Sequence, residues 1–177
     1  MEKIIYQGET FYYLNGRIYD GSFIEIPKIV SRPILNEYLK NVDYSGYGEN
    51  ELLKYIKELK IAELYSTCLT AVSFGLNKFT DSVDYYSTVF PIITSCYRAL
   101  GQPQKAIDFW MENRSLFRCC LSTPLLTSLA AAYCDVGDYV SAKGCADRAY
   151  ALQGGGKGYN TELPPVYGRI KKEGGDL

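Results

Sequence analysis

The sequence contains no histidine. This removes the commonest general base, the usual member of a nucleophilic triad and the commonest metal ligand together, so any catalysis would have to run on carboxylates or a cysteine. Net charge is nearly absent too: 19 basic against 20 acidic residues leave minus one, which offers no general attraction to nucleic acid or an anionic lipid surface. No apolar run approaches the roughly 20 residues that a membrane-spanning helix requires. The cysteines (Cys68, Cys96, Cys119, Cys120, Cys134 and Cys145) form no CxxC pair and follow no secretory segment, which fits reduced structural thiols in a cytoplasmic protein. Cys119-Cys120 is the one adjacent thiol pair, and Arg118 is its only neighbouring cation that could lower a pKa. The expectation is a non-catalytic chain that needs neither cofactor nor metal.

What the sequence does contain is tyrosine, 17 in all, spread through every segment as amphipathic packing residues. It also contains a repeat. Phe90, Ile93, Tyr97, Gly101 and Ala106 are answered by Leu126, Leu129, Tyr133, Gly137 and Ala142 at a constant offset of 36 residues. The pattern within each copy is an apolar stripe at helical spacing, a glycine able to end the helix in the left-handed conformation, and a second amphipathic run. Gln102-Pro103 restarts the chain in the first copy and Asp138 caps the second helix in the other. Ala106 and Ala142 are small because two helices joined by so short a turn lie close together.

These residues resemble the tetratricopeptide repeat family, whose pattern sets an aromatic and Leu-Gly before a Tyr, then Ala and Phe, then Pro. Phe90, Ile93, Thr94, Tyr97, Ala106 and Trp110 fit one copy, and Leu126, Leu129, Ala130, Tyr133, Ala142 and Ala146 the other. The family tryptophan and closing proline are replaced, and the period exceeds the family's roughly 34 residues, which places a longer connection at Cys119 to Ser122. Two copies leave apolar faces uncovered and about three are needed for stability. Leu52, Tyr55, Leu59, Cys68, Val72 and Gly75 supply a degenerate third copy, shifted by 38 residues, with its turn at Glu63-Leu64-Tyr65. An uninterrupted helix from Glu49 to Leu76 is the rival reading, since no strong breaker lies inside it. The resemblance implies a mostly α fold, a TPR-like α-α superhelix of helix-turn-helix repeats over residues 49–177, preceded by a small N-terminal β-hairpin and helix cap over residues 1–48.

The hairpin pairs Thr10–Leu14 with Arg17–Tyr19 across Asn15-Gly16, the strongest short-range hairpin signal, and Phe23–Ile26 is expected to add a third strand. A helix follows, with Ile34, Leu35, Tyr38 and Leu39 on one face, opened by Pro33 and capped by Ser31. The loop composition of Asn41 to Asn50 marks a joint. Pro91 inside Asp81–Leu100 implies either a helix that begins near Ser87, the simpler reading, or a kink. Gly154–Gly158 fails as a phosphate loop because its glycines follow a helix and no Ser or Thr follows Lys157. Thr161–Lys172 reads as a closing helix with Leu163, Val166 and Ile170 turned inward.

In proteins of the family this chain resembles, the first helices of successive repeats line a concave groove that holds a peptide or partner helix. Carried over, the lining comprises Leu53, Lys57 and Lys60, then Thr88, Ser95 and Arg98, then Thr127, Ala131, Cys134 and Asp135. Lys57, Lys60 and Arg98 make one wall basic and suit an acidic guest. The asparagines of the family's carboxylate clamp are absent, with Lys57 and Ser95 in their places, so chaperone-tail binding is not expected. The implied role is an adaptor for a protein or peptide. Self-association through the hairpin or the first repeat stays open, as does single-stranded nucleic-acid binding on Tyr12, Tyr13 and Tyr19, although no basic track accompanies those rings.

Overall fold

The computed structural model describes residues 1–117, 121–154 and 162–174, and the chain divides into two compact units, Met1–Ala71 and Val72–Leu177. The fold is mostly helical, with one small antiparallel sheet.

In the first unit the sheet has strand order β1 (Glu2–Tyr6), β2 (Glu9–Leu14), β3 (Arg17–Tyr19). The Asn15-Gly16 turn has φ of 50° and 80°, as its sequence demands, and Gln7-Gly8 repeats that geometry at 51° and 85° to join β1 to β2. The expected third strand is therefore misplaced. Phe23–Ile26 contributes an isolated bridge, Glu25 opposite Tyr19, while the strand that completes the sheet is β1, paired from Glu2↔Tyr13 to Tyr6↔Glu9. The physical cause is the Asp20 carboxylate, which accepts from the Ser22 and Ile24 amides, both at 2.9 Å, and turns the chain through Phe23 at φ 61° before a ladder can form.

Alternation along the strands sends Ile4, Phe11, Tyr13 and Ile18 to one face, which packs on Ile34, Leu35 and Tyr38 of α1 (Lys28–Lys40). Helix α1 starts five residues before Pro33, which lies inside it. The proline deprives the Ile29 carbonyl of its helical donor, but Ile29 is 87% exposed, so solvent replaces the lost bond. Ser31 does not cap; it is buried and its hydroxyl donates to the Lys28 carbonyl at 3.5 Å. Helix α2 (Glu49–Ile61) begins where the Gly48 amide donates to Glu51, at 2.9 Å, and is tied to the end of α1 by Tyr55, whose hydroxyl donates to the Leu39 carbonyl at 2.6 Å.

A turn separates α2 from α3 (Tyr65–Lys78), so the uninterrupted helix is excluded. Glu63 takes φ 61°, its amide donates to the Lys60 carbonyl at 3.1 Å, and the Leu64 amide reaches back to Leu59 at 2.9 Å. The division between the two units falls inside α3, between Ala71 and Val72.

The second unit contains the remainder of α3, then α4 (Val83–Ala99), α5 (Pro103–Glu112), the short α6 (Arg114–Phe117), α7 (Thr123–Asp135), α8 (Tyr139–Leu152) and α9 (Leu163–Glu173). Ser82, Ser122 and Asp138 each cap a helix by accepting from a backbone amide three residues on, at 3.0, 3.4 and 3.0 Å. Helix α4 does not start late. It runs through Pro91 because its buried face (Tyr85, Val89, Phe90, Ile92, Ile93, Cys96) outweighs the roughly 3 kcal/mol that an interior proline costs.

The turns after α4 and α7 are built alike. Gly101 and Gly137 sit at φ 70° and 82°; the Gln102 amide reaches Tyr97 at 2.8 Å and the Asp138 amide reaches Tyr133 at 2.9 Å. Together with Leu64 to Leu59, the same six-residue closure therefore occurs at three places in the chain, at the spacing of the three sequence copies. The left-handed backbone costs a side chain about 1–2 kcal/mol, offset by about 0.5–1 kcal/mol of glycine's greater unfolded freedom. Glu63→Gly should accordingly stabilise the protein by about 0.5–1 kcal/mol and Gly137→Ala, whose added methyl meets nothing within 4 Å, should destabilise it by a similar amount. Thermal melts followed by circular dichroism at the helical band would read both signs.

Ala106 and Ala142 are fully buried. Within this unit α4 packs on α5 and α7, α5 on α7, α7 on α8 and α9, and α8 on α9. Leu163, Val166 and Ile170 face inward, as their spacing implies, onto Leu126, Ala130, Ala142, Ala146 and Ala149. Gly154 closes α8 at φ 75°; the rest of the glycine run and the Cys119-Cys120 pair lie outside the described residues.

Candidate functional site

The residues implied as a groove lining can now be placed. On α2, Lys57 is exposed while Leu53 and Lys60 are half-buried, opposite a fully buried face of Leu52, Ile56 and Leu59. On α4, Thr88 and Ser95 are half-buried, and the Ser95 hydroxyl donates to the Ile92 carbonyl at 3.0 Å. These positions offer side chains to solvent.

The α7 set is different. Thr127 is fully buried and donates to the Thr123 carbonyl at 2.8 Å, and Ala131 and Cys134 are 6% and 3% exposed. What covers Ala131 and Cys134 is α9, whose Leu163, Val166 and Ile170 join them in one apolar cluster. The closing helix thus docks on the face of α7 that was assigned to a guest, and α9 presents its own outer side there instead.

Arg98 and Asp135 do come together, and a third residue joins them. The Arg98 guanidinium donates to Asp135 Oδ2 at 2.6 Å, and Arg169 from α9 donates to Oδ1 of the same carboxylate at 2.8 Å. Arg169 carried no sequence signal beyond its place on the polar side of α9, next to inward-facing Ile170. One carboxylate bridges two guanidiniums, and Glu173 of α9 supplies a second negative charge acting on Arg169. Partial burial alone would push the Asp135 carboxyl up, but the two guanidiniums outweigh it and hold it below the usual carboxylate value. Because the folded-state pKa is depressed, the stabilisation is present above the unfolded carboxylate value and is lost as pH falls through the folded one. Asp135→Asn should therefore cost about 1 kcal/mol at neutral pH; the difference from wild type should begin to shrink below roughly pH 4 and vanish once the pH is under the depressed folded-state value. Thermal unfolding from neutral to acid pH checks this.

The thiols of this region are not activated. Burial pushes the Cys145 thiol up to about 11 and raises that of Cys134 as well. On the hairpin, Tyr13 is turned into the core and the Tyr12 ring is stacked on Phe23, with centroids 4.7 Å apart, so the three tyrosines do not form a common platform for bases. Among the described residues no cluster of three or more Cys, Asp or Glu side chains is placed to hold a metal ion, and no helix is long and apolar enough to cross a membrane. The chain matches no family model, no curated protein and no solved structure.

Proposed function

We propose that the protein is a non-catalytic adaptor in which helical hairpins, stacked as in a tetratricopeptide-like α-α superhelix, hold a protein or peptide segment against their first helices. The observation that carries this reading is the repeated turn: the same amide-to-carbonyl closure after α2, α4 and α7, at Leu59, Tyr97 and Tyr133. Equivalent turns set equivalent helix pairs, and such arrays bury their surface on neighbouring hairpins while leaving the first-helix face for recognition. Lys57 and Lys60 on α2 favour a guest with acidic character.

Affinity co-purification from the native cell, comparing wild type with Lys57→Glu/Ser95→Glu, tests the proposal. Both positions reach solvent, so the variant should fold normally and lose a partner that the wild type retains. An unchanged set of partners would place recognition elsewhere, and light scattering across the micromolar range would show whether the partner is a second copy of the chain.

A further inference from the structure

A cavity of about 330 Å³ lies in the first unit, walled by β1, β2, the end of α1, the loop after it and α2. Four tyrosines line it: Tyr13 from β2, Tyr38 from α1, Tyr47 from the loop and Tyr55 from α2. The rings of Tyr13 and Tyr38 have centroids 4.9 Å apart, and Tyr47 stands perpendicular to Tyr55 at 6.2 Å. Three carboxylates, Glu2, Glu51 and Glu58, share the wall with the single ammonium of Lys54, which leaves the lining with two negative charges in excess. Those charges converge on one place. After burial, it is Glu2, Glu51 and Glu58 that push the Tyr47 phenol up, and burial lifts that of Tyr55 to about 12. The phenols therefore stay neutral, and the charge of the cavity belongs to the carboxylates.

Negative charge and aromatic surface attract the same guest, because the face of a tyrosine ring carries the negative part of its quadrupole. That guest is a cation, and three observations narrow its kind. Among the described residues no three carboxylates stand close enough together to hold a metal ion, whereas a bare divalent cation takes several oxygen ligands at short range. The hydrogen-bonding capacity of the wall is also partly spent: the Tyr38 hydroxyl donates to Glu2, the Tyr55 hydroxyl to the Leu39 carbonyl at 2.6 Å, and the Gly48 amide to Glu51 at 2.9 Å. A primary ammonium brings three N–H donors to satisfy and a strong hydration shell to give up; a quaternary ammonium brings no donor and asks only for charge and ring surface. Finally, the volume falls at the small end of ligand cavities, which run from about 300 to 1,000 Å³, and so admits a compact molecule. We infer that this cavity binds a small, free quaternary ammonium compound, its methyl groups against the tyrosine rings and its charge balanced by Glu2, Glu51 and Glu58. Neither Lys57 nor Lys60 lines it, so the site is separate from the face formed by the first helices and stands whether or not that face binds anything.

The probe is choline, titrated into the full ¹⁵N-labelled chain and followed by amide shifts. Saturable changes are expected within residues 38–58, with a dissociation constant on the order of 1 mM, and ring currents should move the trimethylammonium proton signal upfield. 3,3-Dimethylbutan-1-ol, the uncharged carbon counterpart of choline, should bind about tenfold more weakly, as should ethanolamine, its primary ammonium counterpart. Lys54→Gln removes the opposing charge at an exposed position and should tighten choline about threefold. Glu51→Gln, also exposed, should weaken it by about the same factor, and Tyr47→Leu about tenfold. Absence of saturation, equal affinity for the uncharged alcohol or for ethanolamine, or unchanged affinity in both Lys54→Gln and Glu51→Gln would overturn the inference. Tighter binding of phosphocholine or of acetyl-trimethyllysine N-methylamide than of choline would overturn the assignment to a free compound, in favour of a lipid headgroup or a modified protein side chain respectively.

Discussion

Replacing Phe90 with alanine is expected to lower the stability of the Val72–Leu177 unit by about 3–5 kcal/mol. Phe90 is 1% exposed, lies edge-on to Phe109 with centroids 5.7 Å apart, and stacks on Tyr86 at 5.5 Å. Truncation removes an aromatic that bridges α4 to α5 and leaves a void between two helices that cannot close it, because α4 is also held by α7. The loss combines transfer free energy, the unfilled volume and the aromatic contacts, which add about 0.5–1.5 kcal/mol to area burial. Since a domain's whole stability is about 5–15 kcal/mol, the variant should sit near its unfolding threshold. Trp110, the sole tryptophan, lies in α5, so its fluorescence in a urea titration reports this unit; a midpoint equal to wild type would mean that Phe90 is not packed as described.

The second large effect is of opposite kind. Ala142→Leu should cost about 1–3 kcal/mol by overpacking, and Ala106→Leu a similar amount. Ala142 is fully buried in one cluster with Leu126, Ala130 and Ala146, where the α7–α8 approach leaves no room beyond a methyl group. Three added carbons force either off-rotamer side chains or separation of the helices. Ala142→Gly provides the contrast, because it removes bulk and instead costs about 1 kcal/mol in helix propensity. If the leucine variant proved as stable as wild type in the same titration, α7 and α8 would not be in close contact at this position.

Much of the helical part could be read from the sequence because its signals are local. Gly101 and Gly137 announce their turns, since a left-handed residue is most easily a glycine, and the stripe Leu163, Val166, Ile170 announces an inward face. Glu63 adopts the same conformation as those glycines but advertises nothing, which is why a continuous helix stayed open there. Gln7-Gly8 is a weaker turn signal than Asn15-Gly16, so the first strand, which it joins to the second, is not announced. Pro33 and Pro91 mislead for one reason: a proline's cost is local, while the burial or solvent access that offsets it is set by tertiary structure. The same limit governs the site. Arg98 and Asp135 could be assigned to neighbouring helices, but the part of Arg169, and the covering of Ala131 and Cys134, depend on where α9 docks. No spacing rule fixes that for a helix beyond the last repeat.

That docking also closes one face of the Val72–Leu177 unit. Helix α9 lies against α7 and α8 much as α7 lies against α4 and α5. Any other helix that packed on this face, from the same chain or from a second molecule, would first have to displace α9 and break the Arg169 tether to Asp135. The small apolar side chains of α7 and α8 are thereby withheld from neighbours.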